Sequence, residues 1–349
     1  MVAEGAPLSS GSGMADRRAS PGLVVVRPVG GLCNRLRVIS SFQVLARYTG
    51  RELRLCWAPS NGFSDEDLGE LFENEFARID EAEFDRLCEE DALCLHEVIS
   101  ISGVLGRRTW RWDPGIGMDQ VLDAAARPVV AYRGLQRLDG LVGHAAAAEL
   151  PRSFADDYLT ELRSWRPVEP IQRAVDEVAA GFDSGTVGIH VRRGDALTHP
   201  NISNQFRLSS DRAFFARMDE LLRDDPGTTF FLATDSADTD ARFRERYGGA
   251  LRTNRAKRFV PSVIFGPKEN QRDAVVDLFA LARTRHLLGT RYSSFSRAAA
   301  DLGGISREVL IAGAWPNRMR WKLVQILQNA RYHGRPILRR LAARRQIDG

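Results

Sequence analysis

Residues 23–57 read LVVVRPVGGLCNRLRVISSFQVLARYTGRELRLCW. Leu23–Arg27 is short and β-branched, the composition of a buried strand. Pro28-Val29-Gly30-Gly31 is a turn. From Asn34 to Arg47 the apolar residues Leu36, Ile39, Val44 and Leu45 fall near helical spacing. Arg51–Trp57 then alternates Leu53, Leu55 and Trp57, which predicts a second strand. Strand, loop, helix, strand is the opening of a parallel α/β domain.

The same order returns in the second half. Pro167 and Pro170 mark a linker. A helix over about 169–181 leads to a strand at Thr186–Val191, a helix at Asp211–Arg223 and a strand at Thr228–Ala233. A strand-like run covers Arg258–Phe265. An amphipathic helix follows over Gln271–Thr284, with Val275, Val276, Phe279 and Ala282 on one face, then a strand at His286–Gly289. Ser293-Ser294-Phe295-Ser296 opens the next helix. The stretch from about 60 to 165 reads as helices and short strands without a motif. The predicted organisation is a leader over 1–22, an N-terminal Rossmann-like acceptor-side domain over 23–166, a C-terminal Rossmann-like nucleotide-binding domain over 167–314, and a basic helix or tail over 315–349. Two such domains face a central cleft, and ligands bind beyond the carboxyl ends of their strands.

Composition fits this. The 349 residues suffice for two domains, and 44% hydrophobic with 27% charged residues supports a real core. No apolar run reaches the roughly 20 residues that span a bilayer. The first 22 residues lack the apolar stretch of a secretory signal, so a cytoplasmic location is expected. The four cysteines form no C-x-x-C pair and read as free thiols. Residues 317–349 hold nine Lys or Arg and one acid, while the rest of the chain holds 40 basic and 44 acidic residues. The basicity belongs to the tail. A nucleic-acid partner is therefore not expected, whereas the tail is a candidate for peripheral contact with an inner membrane surface.

Three loops carry candidate chemistry. Gly30-Gly31-Leu32-Cys33-Asn34-Arg35 follows the first strand; glycines allow close backbone approach, and Asn34 offers a donor and an acceptor. An ordinary tight turn would use the same glycines, and the loop is not G-x-G-x-x-G. GIHVRRGDAL, residues 188–197, ends a strand in Arg192 and Arg193. A guanidinium fork suits phosphate oxygens, and Asp195 is a candidate to hold one arginine in place. A structural Arg–Asp pair is the alternative, and His190 reads as a half-buried core histidine. Ser293, Ser294 and Ser296 stand at a helix start, where they either cap the helix or mark an anion site. Together the loops suggest a diphosphate site. Asp238-Thr239-Asp240 matches D-x-D, but it follows Ser236 at a predicted helix start, where acids are common; no metal is expected.

HVRRGD (190–195), FFLATDS (230–236), VVDLFALAR (275–283), SSFSRAAADL (293–302) and GGLCNRL (30–36) resemble the ordered motifs of the GDP-fucose-dependent fucosyltransferase superfamily. That superfamily includes the α1,2-, α1,6- and protein O-fucosyltransferases. The resemblance spans about 23 to 305. It implies a GT-B fold and an inverting, metal-independent transfer from a GDP-sugar, GDP-fucose first, to a glycan or other hydroxyl acceptor, with no cofactor. It places Arg192 on the β-phosphate of the leaving group, with Arg193 and Asp195 completing the motif that begins at His190. It places Asp277 on the guanine, although by residue pattern alone Asp277 reads as a solvent-facing helix residue. Ser293 to Ser296, Phe295 included, resemble the segment at the phosphates, and Asn34, beside Gly30 and Gly31, the amide near the donor. Two features depart from the pattern. Arg35 stands where many α1,2 enzymes carry glutamine, and ALTHPN after Asp195 does not match the α1,6 enzymes. The general base stays open between Asp195 and His199. Another GDP-sugar, or nucleotide or glycan binding without catalysis, are the alternatives.

Overall fold

The structure, a computed structural model, describes residues 22–311 apart from 61–62, 64–65, 91, 97, 103–106, 112–115, 139–149, 194–207 and 260–267. The leader and the basic tail lie outside the described residues. The chain opens with β1 (Leu23–Pro28), α1 (Leu32–Thr49), β2 (Glu52–Leu55), β3 (Ala77–Arg78), α2 (Glu81–Glu90) and β4 (Leu93–His96). An antiparallel hairpin of β5 (Val98–Ser102) and β6 (Arg107–Arg111) follows, then α3 (Met118–Leu122), β7 (Val129–Gly134) and α4 (Phe154–Arg163). The second half comprises α5 (Glu169–Ala179), β8 (Val187–Val191), α6 (Asp211–Asp224), β9 (Phe230–Thr234), α7 (Ala237–Tyr247), β10 (Leu251–Thr253), α8 (Lys268–Leu281), β11 (His286–Thr290), α9 (Ser294–Gly303) and β12 (Ser306–Leu310).

Two five-stranded sheets result, ordered β3-β2-β1-β7-β4 and β10-β9-β8-β11-β12. Every pairing within them is parallel. Parallel sheets are covered on both faces, which explains the unbroken apolar runs. Val24, Val25 and Val26 are fully buried, and every residue of β8 and β9 is buried. The helix predicted from Asn34 begins two residues earlier, at Leu32, and ends where Gly50 takes φ 62° and closes it in a left-handed cap.

One core runs through both halves. It joins Val24, Leu36, Phe42 and Trp165 to Phe231, Val275, Leu287 and Ala298. α1 and α4 pack against α9 of the second half, and α5 packs on α8. Trp165 lies at the junction, where its indole N–H donates to Ser40 Oγ at 2.9 Å and its ring meets Phe72 edge-on at 4.9 Å.

Two expectations need correction. Arg258 and Phe259 are not in a strand, and the rest of the predicted Arg258–Phe265 run lies outside the described residues. The strand beside β9 is Leu251–Thr253, three residues long with Arg252 exposed, too short and too polar to show a pattern. α8 is not simply amphipathic either. Asp277 is 2% exposed, because α8 is covered by α5 and α9 as well as by β8 and β9.

Candidate active site

In the second sheet the strand order reverses once, between β8 and β11, where chain connections leave in opposite directions and open a crevice at the carboxyl ends of the strands. In the first sheet β7 and β4 lie beside β1 on the side away from β2. Gly30-Gly31 follows β1, Arg192 follows β8, and Ser293 follows β11. α1 and α9, the helices that begin after β1 and β11, pack on one another.

The βα turn after β1 is tight. Gly30 has φ 81°, and a β-carbon there would stand 3.0 Å from Asn34 Nδ2. Arg35 fastens this turn to the segment after β2. Its guanidinium donates to Gly30 O (3.1 Å), Ala58 O (2.7 Å) and Ser60 Oγ (2.8 Å), and lies over the rings of Trp57 and Phe63. Burial, and then Arg27, bring its pKa down to about 9. The residue that departs from the resembled pattern is thus a staple of the loop. The Cys33 thiol is pushed up by burial and pulled back by Arg37 and Arg192. Arg192 of the second half therefore stands in electrostatic reach of the first loop.

Arg192 and Arg193 part company. Arg192 remains 37% exposed and pairs through Nη1 with Asp235 Oδ2 at 2.7 Å. Its backbone N–H donates to Thr290 Oγ1 at 3.0 Å, and that hydroxyl donates to His190 O at 2.9 Å. Asp235 Oδ1 also accepts the backbone N–H of Arg193 at 2.7 Å. The Arg193 side chain is buried in the scaffold. It donates to Ser209 O (2.8 Å), Asp211 Oδ1 (2.5 Å) and Arg192 O (2.9 Å). Burial would raise the Asp211 carboxyl, but Arg193 and Arg242 outweigh it and hold it below the usual range. These contacts of the Arg193 side chain all go to the protein scaffold. Asp195 and His199 lie outside the described residues; the acid seen holding Arg192 is Asp235, within the FFLATDS stretch.

His190 is buried and stacked on Phe295, with ring centroids 4.8 Å apart and planes 14° apart. Burial, then the charges of Arg192, Lys257, Arg193 and Arg307, hold its pKa well below the ordinary value, so the ring is neutral. Ser293 occupies the N-cap of α9 without a side-chain cap bond. Ser296 turns inward at long range to Thr290 O (3.5 Å) and Ser293 O (3.4 Å). The expected serine cap is therefore not formed by Ser293, and its hydroxyl leaves the first N–H groups of α9 alone. Asp238 and Asp240 fall in the first turn of α7, where Ser236 caps Thr239 and Asp240 pairs with Arg244.

Three residues escaped the sequence reading. Lys257 donates to Asp277 Oδ2, and the Asn254 side chain also hydrogen-bonds this buried carboxylate. Burial raises the Asp277 carboxyl, and Lys257 opposes that. Asp235 is the second. Tyr292 is the third: it sits between β11 and α9 with φ 59° and 60% exposure, its hydroxyl bonded to Arg291 at 2.8 Å. A tyrosine held in the left-handed region is strained and is placed by its surroundings. No sequence pattern announces it.

No family model matches the chain. No curated protein matches it. Among solved structures, a variant of Arabidopsis thaliana FUT1 in complex with GDP is 14% identical, with a TM-score of 0.53 covering 86% of this chain and 73% of that one. NodZ alpha-1,6-fucosyltransferase soaked with GDP-fucose is 17% identical at a TM-score of 0.48, over 81% of this chain and 93% of that one; NodZ comes from Bradyrhizobium. POFUT1 in complex with GDP is 13% identical at 0.45, over 83% and 99%. At such identities a likeness speaks for fold alone, and the first of these carries it. With two five-stranded parallel sheets flanked by helices, the chain has the two-domain GT-B architecture and is fucosyltransferase-like in fold.

Proposed function

We propose that the chain is an inverting, metal-independent glycosyltransferase that moves a sugar, fucose first, from a GDP-linked donor to a hydroxyl of a glycan or small-molecule acceptor. The observation that carries this reading is Asp277: a carboxylate buried on α8, held by Lys257 and hydrogen-bonded by the Asn254 side chain. A buried acid is costly, and a ligand that donates to it offsets that cost. A guanine does so, because its N1–H and 2-amino group are two adjacent donors for one carboxylate.

The phosphates would then lie toward the ends of β8 and β11. Breaking the sugar C1–O bond leaves charge on the β-phosphate while the sugar becomes oxocarbenium-like. Arg192, oriented beforehand by Asp235 and by the Thr290 bond to its backbone, stabilises charge where it develops. The N–H groups at the start of α9 add a second anion contact. His190 of β8 and Phe295 of α9 stack on one another near these groups in sequence. Asp195 and His199 remain the candidates for deprotonating the acceptor hydroxyl. The GDP-bound FUT1 variant named above is consistent with a GDP-linked donor and leaves its sugar open.

The test is calorimetric titration of GDP, UDP and CMP in EDTA, with Asp277→Ala as control, followed by a turnover screen of GDP-sugars. Tight GDP binding without metal, lost in the variant, supports the reading. No preference for GDP, or a strict need for manganese, sinks it.

A further inference from the structure

The group around Asp277 is built in a definite order. Lys257 Nζ donates to Asp277 Oδ2 at 2.5 Å, with the lysine side chain 11% exposed and the aspartate 3%. Oδ1 is buried, and the Asn254 side chain hydrogen-bonds the same carboxylate. The Oδ1 of Asn254 accepts the N–H of Ala256 at 3.2 Å, which shapes the segment that delivers Lys257. Farther along, the N–H of Arg258 is held by Asp273 Oδ2 of α8 at 3.0 Å. Lys257 is thus fixed over α8 from both sides.

Set side by side, an ammonium and two carboxylate oxygens offer one donor and two acceptors. The Watson–Crick edge of guanine offers the complement: the O6 acceptor, then the N1–H and 2-amino donors. Adenine presents a donor and then an acceptor, cytosine a donor and two acceptors, uracil an acceptor, a donor and an acceptor. Each of these sets like against like at one position or more, which leaves buried groups unpaired.

Resting on the donor-site reading above, we propose that Lys257 is a specificity-determining residue of that site, donating to the 6-oxo oxygen of a guanine whose N1–H and 2-amino group are taken by Asp277. A carboxylate oxygen has two lone pairs, so Oδ2 keeps its bond to Lys257 while it accepts from the base. The lysine also serves the aspartate. A buried acid without a cation beside it takes up a proton and then turns a donor toward N1–H.

The experiment is calorimetric titration with four diphosphates: GDP, 6-thio-GDP, which keeps N1–H but has a poor acceptor at position 6, IDP, which lacks the 2-amino group, and ADP. Wild-type protein is expected to bind 6-thio-GDP and IDP each about 10- to 100-fold more weakly than GDP, the span of a charge-assisted hydrogen bond. In Lys257→Met, GDP weakens by a similar factor and the GDP to 6-thio-GDP ratio falls to near one, while the IDP penalty persists. The inference is overturned if wild type binds GDP and 6-thio-GDP equally, a comparison that needs no variant to fold. It is also overturned if the methionine variant keeps the wild-type ratio. Tight GDP binding that ignores Lys257 removes this inference and leaves the donor reading standing. Failure of wild type to bind any of the four removes both.

Discussion

Arg192 and Arg193 are neighbours in sequence and opposites in environment. One presents its fork at the cleft under the grip of Asp235; the other is buried against Asp211 and Ser209. Arg192→Lys is therefore expected to lower turnover about 100- to 1000-fold with a far smaller change in GDP affinity, since a point charge replaces a preorganised fork; steady-state kinetics beside calorimetry checks this. At Asp277 the expectation concerns pH. Burial raises this carboxyl, Asp273 adds to the rise, and Lys257 opposes it. The ionised form is the one that accepts from guanine. GDP affinity should fall on acidification through a pKa above the usual carboxylate range, and in Lys257→Met the fall should begin at higher pH. A titration of GDP binding against pH in both proteins decides it. What could be read in the sequence differs sharply between these residues. The paired arginines at a strand end stood out, because an arginine there needs a partner. Asp277 and Lys257 did not, because helix periodicity places an acid on the wet face unless a second layer covers that face too.

At the scale of elements, position in the sheet decides role. Strands and helices with full apolar runs, β1, β8, β9 and α1, were legible because burial on both faces leaves a plain mark. β10 and β12 were not: as edge strands they carry Arg252, Arg307 and Glu308 and are shaped by their neighbours. The place where β11 meets α9 is tightly closed. A β-carbon on Gly289 would stand 2.9 Å from both Cβ and Oγ of Ser296. Gly289→Ala is expected to cost about 1–3 kcal/mol by overpacking and to displace the start of α9 from the phosphate position, weakening GDP binding as well. Denaturant titration and calorimetry together separate the two effects. Arg193→Ala should cost stability by another route. It strips one of two cations from Asp211 and leaves Ser209 O without its donor; about 3 kcal/mol is expected, the low end for a broken buried pair, because Arg242 stays. A shifted denaturation midpoint with unchanged GDP affinity per folded molecule is the mark of a scaffold residue.

At the scale of the molecule, the two-domain plan was readable from the recurrence of strand, loop and helix, but the way the halves join was not. That join depends on α1, α4 and α9 meeting across the boundary and on Trp165 filling the junction. Such contacts are long-range and leave no local period in the chain. The shared core has a thermodynamic consequence. The four tryptophans that precede residue 315, Trp57, Trp110, Trp112 and Trp165, fall in the first half of the chain by sequence. If one core serves both halves, they melt together, and a ligand touching only the second half protects the first. GDP at 100 times its Kd adds about 2.7 kcal/mol to the folded state. In a chain carrying Trp315→Phe and Trp321→Phe, the loss of tryptophan emission on heating should move upward with GDP, in step with the calorimetric peak. Two peaks, or an emission midpoint indifferent to GDP, would show halves that unfold independently. The tryptophans of one half thus report on a ligand bound by the other.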